Sequence, residues 1–208
     1  MKIKLSQLKP TYMAQNELEG SMVYNKEEVV LLQSEKVLIR ANSGKGKSSL
    51  LNFIYGINKN YKGKIIVGEG NSSQEKIKKN ELSYVFQDMK LFDELTVFEN
   101  IEIKNQLTNH KTKEEILDLI SQMKLAHKTD NLVGKLSLGQ QQRVAIIRSL
   151  CQPFNFLLMD EPFSHLDEEN IAIIVSVVNK ELESQKAGLL ITSLSDNSYF
   201  DYDKTLII

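Results

Sequence analysis

The chain is short of the features that would place it in several large classes. Its single cysteine, Cys151, cannot close an internal disulfide, which excludes the stapled framework of a small secreted domain. No run reaches the roughly 18 apolar residues of a membrane-spanning helix; the nearest, residues 171–178, is broken by Ser176. The opening residues Met1-Lys2-Ile3-Lys4-Leu5 lack the apolar core of a signal peptide. An excess of one charge is missing too, with 26 basic residues against 27 acidic ones, so the electrostatic footprint of a nucleic-acid binder is absent. The expectation is a cytoplasmic chain with no nucleic-acid partner, reaching any membrane through another protein.

What remains is an ordinary globular composition: 208 residues, 41% hydrophobic and 25% charged, enough for one domain with a full core. One stretch organises it. The apolar Lys36-Val37-Leu38-Ile39-Arg40 runs into Ala41-Asn42-Ser43-Gly44-Lys45-Gly46-Lys47-Ser48-Ser49 and leaves as Leu50-Leu51-Asn52-Phe53-Ile54. Strand, glycine-rich turn and helix in that order are the context of a phosphate-binding P-loop. Gly44 and Gly46 let the backbone turn tightly enough to aim consecutive N–H groups at phosphate oxygens. Lys47 is placed to reach the β- and γ-phosphates and Ser48 to ligate Mg²⁺. Ala41 stands where the pattern usually opens with glycine, and its methyl calls for only a small adjustment.

Elsewhere, residues 3–8 read as an edge strand, and 22–24 with 29–32 as a hairpin turning through Asn25-Lys26-Glu27. Tyr12 and Tyr24 are candidates for stacking on an adenine ring, with packing or plain surface as the competing reading. Gly56 and Gly63 bracket a polar turn before a strand over 64–67, and 68–80 reads as an exposed loop or frayed helix. Residues 81–88 give a strand ending in Gln87. Thr96 with Glu99, and Thr112 with Glu115, form two capping boxes, and Ile116, Leu119, Ile120 and Met123 share one helical face. Residues 96–135 therefore read as a helical insertion. An amphipathic helix follows, with Val144, Ile147 and Leu150 on its buried face and Pro153 beyond its end. The apolar run 156–159, ending in Asp160, Glu161 and Pro162, suits a central parallel strand covered on both faces. Its carboxylates then emerge where α/β folds place ligands. A helix over 168–183, a buried strand over 188–193 and a last strand over 204–208 complete an alternation that indicates a largely parallel α/β sheet.

The P-loop at 41–49, Gln87, Leu136-Ser137-Leu138-Gly139-Gln140, Asp160-Glu161 and residues 164–167 resemble, in this order and over nearly the whole chain, the nucleotide-binding subunit of ATP-binding cassette (ABC) proteins. Lys47 to Gln87 is 40 residues and Gln87 to Ser137 is 50, separations that fit the family. The resemblance implies a P-loop NTPase fold in a single ABC ATPase domain over 1–208. Its RecA-like core spans about 1–88 and 151–208, with N-terminal antiparallel strands, and its helical subdomain about 89–150. It further implies that ATP is bound by Asn42, Ser43, Gly44, Lys45, Gly46, Lys47, Ser48 and Ser49, with Mg²⁺ held by Ser48, Gln87 and Asp160. Glu161 matches the carboxylate that polarises the attacking water, with Gln87 and Lys47 beside it in catalysis.

Ser137, Leu138, Gly139 and Gln140 resemble the signature that caps ATP held by a second ABC ATPase subunit, identical or different, in a head-to-tail dimer; Leu138 replaces its usual first glycine. Ser164 and Asp167 fall in the D-loop, where His165 reads as an interface or surface residue. Ser193 occupies the place of the switch histidine. The expectation is slow hydrolysis, or a productive site that uses a different partner subunit, because loss of one positioned transition-state donor costs roughly 10²–10³ in rate. The function implied is the ATPase subunit of a membrane transporter, peripheral on the inner face of the membrane through a transmembrane permease. Leu91, Phe92 and Leu95 are candidates for the permease groove. The short chain and residues 86–101 look most like the branch serving lipoprotein release, macrolide export and cell division. A regulatory cassette on a membrane partner and a slowly hydrolysing ATP-dependent clamp stay open as alternatives.

Overall fold

The computed structural model describes residues 1–68, 81–164 and 166–208; most of the loop expected over 68–80, and His165, lie outside the described residues. The strands are β1 (Lys2–Pro10), β2 (Glu28–Leu32), β3 (Lys36–Arg40), β4 (Tyr61–Val67), β5 (Leu82–Val85), β6 (Phe156–Met159), β7 (Gly188–Ser193) and β8 (Lys204–Ile207). The helices are α1 (Lys47–Tyr55), α2 (Val97–Asn105), α3 (Lys113–Gln122), α4 (Leu138–Leu150) and α5 (Glu168–Gln185).

Five strands form a parallel sheet in the order β5-β6-β7-β3-β8. The continuous apolarity of β6 has the cause expected of it: Phe156, Leu157, Leu158 and Met159 are all fully buried, with elements on both faces. One face carries Leu50, Leu51, Phe53 and Ile54 of α1 together with the N-terminal strands. The other carries the apolar sides of α2, α3, α4 and α5. Because the strands are parallel, their carboxyl ends coincide. The register pairs Arg40 with Ser193 and Met159 with Ile191, so the loops beginning at Ala41, Asp160 and Leu194 leave the sheet side by side.

The second sheet is antiparallel, in the order β2-β1-β4. The strand expected over 3–8 at an edge is thus the central one, paired from Lys2↔Leu32 on one side and Ile3↔Val67 on the other. Residues 22–24 are not a hairpin strand either: the Ser21 hydroxyl accepts from the N–H groups of Val23 and Tyr24, turning the chain, and β2 pairs with β1 instead. Gly63 does not bracket a turn. It sits inside β4 at a register shift opposite Gln7, with φ +96°, where an added Cβ would lie 2.4 Å from the Gln7 carbonyl oxygen.

Both expected capping boxes form, with Thr96 accepting from the Glu99 N–H and Thr112 from the Glu115 N–H. Ile116, Leu119, Ile120 and Met123 are buried as their spacing implies. Helix α4 is covered on more than one face: besides Val144, Ile147 and Leu150, the polar Gln142, Arg143 and Ser149 are buried. At its end Cys151 is fully buried, and that burial pushes its thiol up to about 12. Between the segment after α2 and the body of α5, Lys111 Nζ donates to both carboxylate oxygens of Glu181 at 2.8 and 2.9 Å.

Candidate functional site

The loop after β3 has the conformation its glycines were expected to permit. Gly44 and Gly46 have φ of +79° and +90°, a region that costs other residues strain. Gly46 precedes the first turn of α1. A side chain there would also press on Tyr24, whose Oη lies 3.2 Å from the position of an added Cβ. Tyr24 itself is fully buried, and its hydroxyl donates to the Gly46 carbonyl at 2.8 Å. Of the two candidate adenine-stacking rings, Tyr24 is therefore a prop beneath the loop. Tyr12 is half exposed, and its hydroxyl donates to Ser49 at the start of α1. Ala41 is buried and its N–H donates to the Ser193 carbonyl at 3.4 Å.

Lys47 is only 4% exposed. Its ammonium donates to the carbonyls of Ala41 at 2.7 Å and Asn42 at 3.2 Å, and lies 3.2 Å from a carboxylate oxygen of Glu161. Three acceptors thus hold the lysine folded back over its own loop, in the space to which phosphate oxygens are expected to come.

Asp160 emerges from β6 as a buried residue, 3% exposed. Burial raises its pKa, opposed by hydrogen bonds from Thr192 and Ser48; Glu161 pushes it further up and Lys47 draws it down. The Thr192 hydroxyl donates to Asp160 Oδ1 at 2.7 Å and accepts from the Glu161 N–H at 2.9 Å. Glu161 has φ +46°, a left-handed conformation that costs a residue with a side chain about 1–3 kcal/mol and persists where its surroundings over-determine it. The structure thus brings Lys47, Ser48, Asp160, Glu161 and Ser193 to one end of the sheet.

Gln87 follows β5 in an exposed turn, and among the described residues its side chain bonds to neither Ser48 nor Asp160. The segment after it is braced from α4: Arg148 Nη2 and Nη1 donate to the carbonyls of Met89 and Lys90 at 2.7 and 2.8 Å. Ser137 caps α4 by accepting from the Gln140 N–H at 3.4 Å while Gln140 Oε1 accepts from the Ser137 N–H at 3.0 Å. Leu138 is 53% exposed at the first turn. No hydrogen bond or ion pair among the described residues joins 137–140 to 41–49 within the chain. Asp167 caps α5 by accepting from the Asn170 N–H at 2.8 Å, and Ser164 is exposed. Ser193 lines a cavity of about 180 Å³ with Glu161, Phe163 and Tyr199. Tyr24, Thr192 and Arg148 are contributors that sequence reasoning did not place in these roles.

A parallel sheet with a glycine-rich phosphate loop after one strand and paired acids after its neighbour's neighbour defines a P-loop nucleotide-binding domain. The ABC transporter family profile matches residues 24–164, and the chain belongs to that family. Its curated relatives include ATP-binding proteins of transport and lipoprotein-releasing systems. The general L-amino acid transport ATP-binding protein AapP of Rhizobium johnstonii is 32% identical over 171 residues, 78% of this chain and 66% of AapP. The lipoprotein-releasing system ATP-binding protein LolD of Saccharophagus degradans is 34% identical over 162 residues, 74% of this chain and 71% of LolD. The chain spans about two thirds or less of the length of the amino-acid and sulfate import proteins it matches. Among solved structures, the dimeric post-hydrolysis state of the cassette MJ0796, bound to ADP and Pi, superposes with a TM-score of 0.74 at 26% identity, covering 93% of this chain and 88% of that one.

Proposed function

We propose that this cassette energises a membrane transporter, binding ATP between two head-to-tail subunits and hydrolysing it slowly. The observation that carries the reading is the contact of Lys47 with Glu161 beside Asp160, at the mouth of the phosphate loop. Arriving phosphates take the N–H groups of residues 42–49 and draw Lys47 off Glu161. The freed carboxylate accepts the proton of a water whose oxygen bonds to the γ-phosphorus, while the bond to the bridging oxygen breaks and ADP keeps that electron pair. Tyr12 stacks on the adenine.

The Ser48 hydroxyl and the buried Asp160 carboxylate are hard oxygen donors that fit Mg²⁺, with Gln87 as a third, from the turn after β5. Bound there, the cation would supply charge that offsets the phosphates. The N-terminus of α4, with Ser137, Gly139 and Gln140, caps the nucleotide held by the second subunit; Ser164 and Asp167 belong to the same dimer face. Ser193 offers a short hydroxyl where an imidazole would reach further, hence the slow rate.

No helix of the described residues is long and apolar enough to cross a membrane, so the membrane is reached through a permease. A groove of about 320 Å³ lies between Tyr55, Tyr84 and Phe86 on one side and Phe92, Ile103 and Leu107 on the other. Phe92 and Leu107 are exposed at its rim, whereas Leu91 packs on the core; neither Leu91 nor Leu95 lines the groove. An amphipathic permease segment with an acidic residue suits it, because Lys104 in its wall has no anionic partner among the described residues. The lipoprotein-releasing protein LolD of Treponema denticola, 28% identical with 90% of each chain covered, supports the lipoprotein-release branch.

Steady-state ATPase assays of the wild type, Ser193→His and Glu161→Gln test the site. We expect slow wild-type turnover, a gain of at least tenfold with Ser193→His, and loss with Glu161→Gln. Brisk wild-type turnover that Ser193→His leaves unchanged would refute the slow-hydrolysis reading. Recovery of soluble partners alone after gentle membrane extraction would overturn the transporter reading.

A further inference from the structure

We propose that Thr192 is a positioning residue for both acids of the site: one hydroxyl aims the Asp160 carboxylate and fixes the backbone of Glu161. The inference rests on the roles assigned above to those two acids. Thr192 is 1% exposed, so its hydroxyl has no water to fall back on, and both of its main capacities are committed. It donates to Asp160 Oδ1 at 2.7 Å and accepts from the Glu161 N–H at 2.9 Å.

These two bonds differ in consequence. The first engages Oδ1 of Asp160, a carboxylate that Ser48 also hydrogen-bonds, and restrains its rotation from the β7 side. The second holds the N–H of a residue whose φ of +46° is sterically disfavoured. Without that anchor the Glu161 backbone relaxes toward the ordinary right-handed region, which re-aims its side chain. Thr192 lies on β7 and the acids follow β6, and the two strands pair in register up to Met159↔Ile191, so the sheet itself sets the hydroxyl's position. Partners of this kind, one step removed from a ligand, commonly cost 10–100-fold in metal affinity or activity when lost.

Packing and positioning separate cleanly at this site. Valine matches threonine in shape and strand preference but lacks the hydroxyl; serine keeps the hydroxyl and lacks the methyl. The test uses the full chain as wild type, Thr192→Val, Thr192→Ser and Asp160→Asn, below the melting temperature of all four. Affinity for a fluorescent ATP analogue is measured in EDTA and in Mg²⁺, and the single-turnover rate of bound ATP is measured at saturating nucleotide. Thr192→Val is expected to leave the EDTA affinity within about twofold, shrink the gain in affinity on adding Mg²⁺ about tenfold, and slow the single turnover about 10–100-fold. Thr192→Ser should stay within about threefold of wild type in all three. Thr192→Val retaining both the Mg²⁺ gain and the rate would overturn the proposal, as would Thr192→Ser losing as much as Thr192→Val. An undiminished Mg²⁺ gain in Asp160→Asn would instead sink the metal role of Asp160, and the relay with it.

Discussion

Glu181→Gln should strip the paired carboxylate from Lys111, whose side chain is 12% exposed, since Lys111 Nζ sits 2.8 Å from Glu181 Oε1 and both side chains are almost covered. Breaking a buried pair from one side costs roughly 3–5 kcal/mol because the remaining charge is left uncompensated. Glutamine keeps one oxygen able to accept from Lys111, so we place the loss below that range, at about 2–3 kcal/mol. For a chain of this size each 1 kcal/mol moves the melting point about 2–4 °C, which gives a fall of about 4–12 °C. Urea and thermal unfolding followed by circular dichroism measure it directly. The double variant Lys111→Met with Glu181→Leu should recover most of the loss, because well-packed apolar replacements of a buried pair are often neutral or stabilising. A Glu181→Gln variant within about 0.5 kcal/mol of wild type, or a double variant less stable than either single change, would refute this account of the contact.

Tyr24→Phe is expected to cost only about 0.5–1.5 kcal/mol of stability, because the Gly46 carbonyl still accepts from the Leu50 N–H at 2.9 Å; urea unfolding of the variant reads it. Tyr12→Ala, at an exposed ring, should weaken ATP binding by about 1 kcal/mol while leaving the unfolding midpoint in place, measured by nucleotide titration beside a melt. His110 has its pKa lowered by burial first and by Lys111 second, against the opposing pull of Glu181 and Glu115. A histidine held below its ordinary value near 6.5 prefers to be neutral when folded. Stability should therefore decline as pH falls through about 6.5 and level off below the folded pKa. Thermal melts from pH 8 to 5 should show a shallower decline for His110→Gln.

What could be read from the sequence was what is local in the chain. The capping boxes at Thr96 and Thr112 need only four consecutive residues, and the P-loop is a continuous stretch whose glycines announce its positive φ. Strand β6 was legible because two-sided burial leaves an unbroken apolar run. The place of β1 was not, since its second partner, β4, lies some sixty residues away and alternation along Lys2–Pro10 looks the same at an edge or a centre. Val23 and Tyr24 suggested a strand because they are apolar, yet burial there serves a turn that props Gly46. Thr192 gave no signal: a threonine in a strand is an ordinary β-former, and its second use depends on two residues that the parallel register brings alongside. Arg148 was hidden by the amphipathic pattern around it, although its guanidinium ties α4 to the segment after Gln87.

The burial of Cys151 gives the chain a silent background for labelling. A thiol pushed up to about 12 in a closed core holds almost no thiolate at neutral pH, and it is the chain's single cysteine. A maleimide dye or crosslinker offered to the folded cassette should therefore find no native target. A cysteine introduced at the exposed Leu138, on the proposed face toward the second subunit, would report the approach and departure of that subunit with nothing else in the chain answering.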